Sequence, residues 1–456
     1  MSGILASHGL TGKRAATLRR MSQLPTSDLH WPALCAGLPR FSGHYKAVPE
    51  DFRVTELPAY EPSGEGEHVL FEVEKRGIPS HEATSRMARA LGANPRDFGL
   101  AGLKDAQGVT RQWMSLAGVE PERLLALDIK GLKVLSAARH RNKLRVGHLR
   151  GNRFVLRLRG CGAAQLPTAR AMLDVLTRRG VPNYFGEQRF GARGDTWRIG
   201  KALLRGDHAE AVAWIAGRAG PHDKGRILKA RQLYDAGDYM GASEAWPGGF
   251  RPCIRLCRAM AKSGGNAKRA LHALDRNFLR FYTSAYQSRL FNDVVAARLE
   301  HLDEVELGDL AWLHRNGAVF LVKELELDRE RAQKLEISAS GPLFGARMSV
   351  PQGRPAEIEA EVLAREGQDA EVFARPGPLQ WQGSRRPLRF PLGESTVEAG
   401  NDEHGEFLEL GFTLPPGCYA TSVLRELLDD SHASEPDVND QDADESEDSG
   451  SSELDD

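Results

Sequence analysis

Between residues 45 and 180 apolar and polar residues alternate in segment after segment, and only two stretches there carry a helical period. That pattern constrains the fold most. A doubly wound domain needs a crossover helix between successive parallel strands, and no regular strand–helix–strand alternation is present. An α+β unit dominated by antiparallel strands is expected instead. Its extended segments are 49–56, 68–74, the run from Val109 onward, 131–136, 143–149 and 153–159. Its helices are Ser80–Leu91, capped by Ser80 and closed by Gly92, and Leu166–Arg179, with Pro167 near its start and Gly180 just past its end.

Within this region Gly102-Leu103-Lys104-Asp105-Ala106-Gln107-Gly108 leads into Val109-Thr110-Arg111-Gln112-Trp113. The second half reads as a strand, and Lys-Asp-x-x-Gly is turn chemistry, because Asp bonds its own backbone and Gly accepts positive φ. A carboxylate is thus presented at the mouth of a strand. Taken alone, Asp105 reads as a turn former rather than a chemical group.

Beyond residue 181 the pattern changes. Ala- and Arg-rich helical segments recur at 207–218, 224–245, 255–262 and 265–300, followed by a strand at 318–323 and helices at 325–336 and 355–367. Alternation returns near 388–414, and 419–428 reads as a helix. The organisation expected is a leader, partly disordered, over 1–40; a first domain over 41–180 and 386–430; an inserted domain over 181–385; and an acidic, disordered tail over 431–456.

The net charge of −1 hides an asymmetry. The tail holds eleven Asp or Glu and no Lys or Arg, which leaves 61 basic residues against 51 acids in the body, a net of +10. A basic body points towards polyanions. The sharpest local case is 139–159, where Arg139, Arg141, Lys143, Arg145, Arg150, Arg153, Arg157 and Arg159 occur with no acid among 21 residues. Strand alternation would place Arg145, Arg153 and Arg157 on one surface, suited to phosphate contacts.

No phosphate-cradling loop, dinucleotide fingerprint, nucleophile elbow or zinc motif is present in the chain, so any chemistry runs on ordinary side chains without a cofactor or metal. No apolar run is long enough to span a bilayer. Five scattered cysteines fit a reducing compartment, and a cytoplasmic monomer is expected.

Separated motifs then occur in a recognisable order. They are Lys46-Ala47-Val48-Pro49-Glu50-Asp51-Phe52, Gly64-Glu65-Gly66-Glu67-His68, Gly102-Leu103-Lys104-Asp105 with Thr110, and Gly151-Asn152-Arg153-Phe154. Pro182–Gly191, Ser288–Asn292 and Leu414–Ser422 complete the series. In these motifs the chain resembles the TruD family of tRNA pseudouridine synthases. The resemblance implies a pseudouridine synthase catalytic domain with a mixed, largely antiparallel sheet and an inserted α+β TruD-specific domain. It also implies Asp105 as the catalytic aspartate, with Lys46 beside it. Phe52, Asn152, Phe154 and Phe412 would surround the target nucleoside, uridine 13 of tRNA. The helical stretch 204–265, the leader and the tail lie outside the family pattern.

Isomerising uridine breaks the N1–C1′ bond, turns the base and rejoins it through C5, with no redox change. A carboxylate can act as nucleophile at C1′ or as base in a glycal route. Three rival readings stay open at this level: the same chemistry on rRNA or mRNA, a non-catalytic RNA-binding protein on the same fold, and a glycosidase-like hydrolase pairing Asp51 with Asp105.

Overall fold

The computed structural model describes residues 29–104, 108–375 and 381–429. Its strands, in chain order, are β1 (Phe52–Pro58), β2 (His68–Arg76), β3 (Gly99–Leu100), β4 (Val109–Ala117), β5 (Leu132–His140), β6 (Leu149–Arg159) and β7 (Val181–Pro182). After a mainly helical stretch come β8 (Leu310–Leu313), β9 (Val319–Leu321), β10 (Ile337–Leu343) and β11 (Ser384–Pro387). The last are β12 (Arg389–Phe390), β13 (Gly393–Asp402) and β14 (Gly405–Leu414). No described helix is long and apolar enough to cross a membrane.

The described residues divide into two compact units, 33–183 with 389–429, and 29–32 with 184–388. The first is built on an eight-stranded sheet in the order β13-β14-β6-β1-β4-β2-β5, with β3 added on β4. All its pairings are antiparallel except β1 with β4. The architecture is α+β with a mixed, largely antiparallel sheet, as the strand-rich pattern of 45–180 suggested.

Side chains of alternate residues cover one face of this sheet with helices. Met87, Ala88 and Leu91 of the helix Ser80–Leu91 join Val69, Phe71, Val73, Met114 and Leu116 in one apolar cluster. Met172, Leu173 and Leu176 of Leu166–Arg179, and Val423, Leu424 and Leu427 of Ala420–Leu427, join Val54, Phe154, Leu156, Leu408, Leu410 and Phe412 in another. The first cluster takes β4 and the second takes β1, so the join between them runs along the one parallel pair.

The second unit holds a four-stranded sheet, β11-β10-β8-β9, and a set of helices from Thr196 to Ala297. The segments 224–245 and 265–300, read as continuous helical patterns, are each broken in two. Asp238 caps Tyr239–Ala245 by accepting from Gly241 N, and Asp275 caps Arg276–Ala297 by accepting from Asn277 N. A short polar side chain at the start of a helix satisfies an end amide that would otherwise lack a partner, so the chain restarts there.

Candidate active site

The alternation of β1 decides what faces the join. Phe52, Val54 and Glu56 point to the covered face and are buried, while Arg53 and Thr55 point away. Cross-strand register then builds a row. Val54 pairs with Thr110 of β4 and Phe154 of β6, and Phe154 pairs with Phe412 of β14. The rings follow the register. Phe154 stacks on Phe412 at 5.6 Å between centroids, and Phe52 meets Phe154 edge-on at 6.3 Å. Phe412 has no exposed surface, whereas Phe52 and Phe154 each keep 7%. Of the three predicted aromatic residues, Phe412 is therefore the support beneath Phe154 in this structure.

Lys46 is brought to the same place. Its Nζ stands 4.7 Å from the centre of the Phe52 ring, and its φ of 67° puts a non-glycine residue in the left-handed region. Such backbone strain costs about 1–3 kcal/mol and persists where the surroundings over-determine it. Among the described residues no carboxylate pairs with Lys46.

Asp105 itself, with Ala106 and Gln107, lies outside the described residues. The residues on each side are tightly specified. Lys104 Nζ lies 2.6 Å from Glu56 Oε2, in a pair whose side chains are 8% and 0% exposed. The Lys104 N–H donates to Ser80 Oγ at 2.9 Å, and its carbonyl accepts from Lys75 Nζ at 3.3 Å. Ser80 Oγ in turn donates to Gln112 Oε1 at 2.8 Å, and the Gln112 amide donates to the Gly102 carbonyl. On the far side, the Gly108 carbonyl accepts from Gly77 N at 3.0 Å. A Cβ at position 108 would lie 2.4 Å from the Phe52 carbonyl oxygen, so only glycine allows β4 to start this close to β1.

Lys75 and the pairing of Lys104 with Glu56 were not singled out in the sequence. Ser80 was read as a helix cap. The cap position is Pro79, with no side-chain cap bond, and the Ser80 hydroxyl serves the 104–112 segment instead. Glu56 did leave a signal, since a carboxylate occupies the buried phase of Phe52-x-Val54-x-Glu56. A charged pair this far from water contributes little net stability, but losing one partner is costly, so it fixes a position rather than adding strength.

Asn152 lies one row along from Phe154, between Glu56 of β1 and Leu414 of β14. Its Oδ1 is buried without a hydrogen-bond partner among the described residues, and so is Thr110 Oγ1. Each such orphan costs about 1–3 kcal/mol unless a ligand satisfies it. The site thus offers aromatic surface flanked by unsatisfied polar atoms, suited to a flat heterocycle with polar edges.

The arginines are distributed differently. Arg153 and Arg157 occupy the opposite phase of β6 from Asn152 and Phe154, and so the outer face of the sheet. Arg145 lies in the 141–148 loop, not in the strand expected over 143–149. Gly147 turns there with φ 90°, and buried Leu144 is held by Ser115 Oγ, so the strand alternation that would align Arg145 with the other two is absent.

Nor is the basic run uncompensated in space. Arg139 pairs with Glu120, Arg141 with Glu65, Arg153 with Glu394, Arg157 with Asp402 and Glu409, and Arg159 with Asp51 and Asp402. The acids come from distant parts of the chain, which a local count cannot register. Asp51 is buried and held by Arg159 at 2.6 Å and by Val48 N at 3.1 Å, which leaves it unsuited to a paired-carboxylate role with Asp105. Among the described residues no group of three or more His, Cys, Asp or Glu could hold a metal ion.

Comparison with known proteins gives a consistent result. A family model described as tRNA pseudouridine synthase D (TruD) matches residues 29–427. The curated tRNA pseudouridine synthase D of Geotalea daltonii is 46% identical over 397 residues, covering 87% of this chain and 99% of its own. That of Thermus thermophilus is 37% identical over 403 residues, covering 87% and 92%. A crystal structure described as a tRNA pseudouridine synthase D from Methanosarcina mazei superposes with a TM-score of 0.78 at 27% identity, covering 86% of this chain and 94% of that one.

Proposed function

The chain belongs to the TruD family of tRNA pseudouridine synthases, and on that premise we propose that it isomerises uridine 13 of tRNA with Asp105 as its catalytic carboxylate. The unit 33–183 with 389–429 is the catalytic domain in this reading, and 184–388 is the family-specific insertion. The enzyme works as a cytoplasmic monomer.

One observation carries the assignment. Residues 104 and 108, on either side of Asp105, are pinned to β1, the strand that also bears Phe52 and whose neighbour β6 bears Asn152 and Phe154. Phe52 and Gly108 lie at the starts of two parallel strands, with the Lys46 ammonium at the same end.

The target uridine leaves its stack, at a cost of a few kcal/mol, and enters as a flipped base. Phe52 and Phe154 offer the ring edges and faces that hold it, and Phe412 positions Phe154 from behind. Asn152 Oδ1 accepts the uracil N3–H, and Thr110 Oγ1 is a second polar contact; both are orphaned without a ligand. Asp105 acts ionised, either attacking C1′ or removing a sugar proton, and an adjacent ammonium favours the ionised form. Lys46 supplies that charge and orients the carboxylate. Arg145, Arg153 and Arg157 contact RNA phosphates. Arg153 and Arg157 do so from the outer sheet face, Arg153 exchanging an exposed ion pair worth little and Arg157 half-buried ones for phosphate contacts.

Pseudouridine mapping of total RNA from cells with and without the gene tests this function. Loss at uridine 13 of one or more tRNAs is expected. An unchanged tRNA profile, or losses confined to rRNA or mRNA, would overturn it.

A further inference from the structure

The helix Arg251–Lys262 carries a charge pattern that the proposed chemistry does not use. Its inner side is settled: Cys253, Leu256, Cys257 and Met260 are buried in the helical core of their unit. The opposite side presents Arg251, Arg255, Arg258 and Lys262, all exposed. Spacings of four, three and four bring these onto one stripe within about 60° of arc and about 16 Å long, at 100° and 1.5 Å per residue.

The stripe is uncompensated. None of the four has an ion-pair or hydrogen-bond partner for its side chain among the described residues. The stretch 251–274 contains six Lys or Arg and no Asp or Glu. Other helices of this fold hold basic side chains in ion pairs: Arg86 with Glu82, Arg331 with Asp328, and Arg354 with Glu357 and Glu361. Like charges three and four residues apart destabilise a helix, and Arg251 sits in a first turn with no acid, where the helix dipole disfavours a cation. Nothing in the fold benefits from this arrangement, which is the local conflict expected at a functional surface.

We propose that the solvent face of Arg251–Lys262 is a docking surface for the phosphate backbone of the tRNA substrate. A line of guanidinium groups and an ammonium complements a polyanion whose charges also repeat along a line, and contact releases counterions from the RNA. The inference rests on the tRNA reading above and adds a contact outside the catalytic sheet.

The test compares the full chain with its R251Q/R255Q/R258Q/K262Q variant, which keeps good helix formers at all four sites. The probe is an unmodified tRNA transcript, titrated at several salt concentrations between 50 and 200 mM. Kd should rise about tenfold or more at the lowest salt, and the slope of log affinity against log salt should shrink by about 2–4, from 0.7–0.9 per lost contact. Unchanged Kd and slope, with circular dichroism and melting intact, overturn the proposal. Should the quadruple variant melt early, Arg255→Gln is read instead, with an expected slope change of about 0.7–0.9. A variant that keeps tRNA affinity but loses binding to a synthetic 431–456 peptide also overturns it, making the occupant an acidic polypeptide. Pseudouridine formation by the unsubstituted chain is measured in parallel. An active enzyme with an indifferent stripe leaves the proposed function standing and removes only this inference.

Discussion

The Lys104 ammonium and the Glu56 carboxylate meet at 2.6 Å inside the eight-stranded sheet, and this contact fixes the residue immediately before Asp105 to the centre of β1. Glu56 uses its second oxygen to accept from Trp113 N at 3.2 Å, so one carboxylate ties Lys104 to the middle of β4 as well. Removing one member of such a pair leaves a buried charge alone. Glu56→Ala is expected to lower unfolding free energy by about 3–5 kcal/mol in urea titration, while the E56M/K104M double variant recovers most of that loss. Simple additivity of the two single changes would contradict the pairing. Activity is expected to fall in both variants, because stability regained by an apolar pair does not restore the polar contact that holds Lys104 to β1.

Phe412 carries no exposed surface and stacks beneath Phe154, so under the proposed function it acts through Phe154. Phe412→Ala should cost about 3–5 kcal/mol of stability through the cavity it leaves. The milder Phe412→Leu removes mainly the ring–ring preference, worth about 0.5–1.5 kcal/mol. Steady-state kinetics on tRNA should show that variant losing more in kcat/KM than its stability loss explains. Proportionate losses would mean that Phe412 only fills space.

His140 gives the fold a defined acid sensitivity. Burial holds its imidazole below the ordinary histidine range, with the neighbouring charges of His68 and Arg141 acting the same way. Its Nδ1 accepts from Ser63 N at 3.2 Å, a bond available only to the neutral ring. The unfolded chain therefore takes up the proton first as pH falls. Stability from this group is complete above about pH 6.5, the unfolded value, and drains away as pH drops through the lower folded one. Melting temperature measured from pH 7.5 to 5 should fall more for the natural chain than for His140→Gln. Parallel curves would exclude the residue as a source.

Arg153 reaches Glu394 at 2.9 Å across exposed side chains, a contact worth about 0–1 kcal/mol. Arg153→Glu should leave melting nearly unchanged, yet weaken tRNA binding and flatten its salt dependence. A salt slope equal to that of the natural chain would mean that the outer face of β6 is solvated surface alone.

Much of the fold was legible because its signals are local. The helices Ser80–Leu91 and Leu166–Arg179 run between the residues expected. Charge pairing was not legible, because partners separated by up to 252 residues leave no mark on a local window. Thus 139–159, with no acid of its own, is largely neutralised by Glu65, Glu120, Glu394, Asp402 and Glu409. The helix Arg251–Lys262, which also lacks acids, keeps its four cations without partners among the described residues along one face. The row Thr110–Val54–Phe154–Phe412 follows from strand register across four strands, which alternation alone cannot supply.

The most direct test of the account is tritium release from tRNA labelled at C5 of uridine, with the natural chain and with Asp105→Asn. The expected result is release by the natural chain, none by Asp105→Asn, and tRNA binding of similar strength in both. Substantial release by Asp105→Asn would contradict the assignment of Asp105 as the catalytic carboxylate.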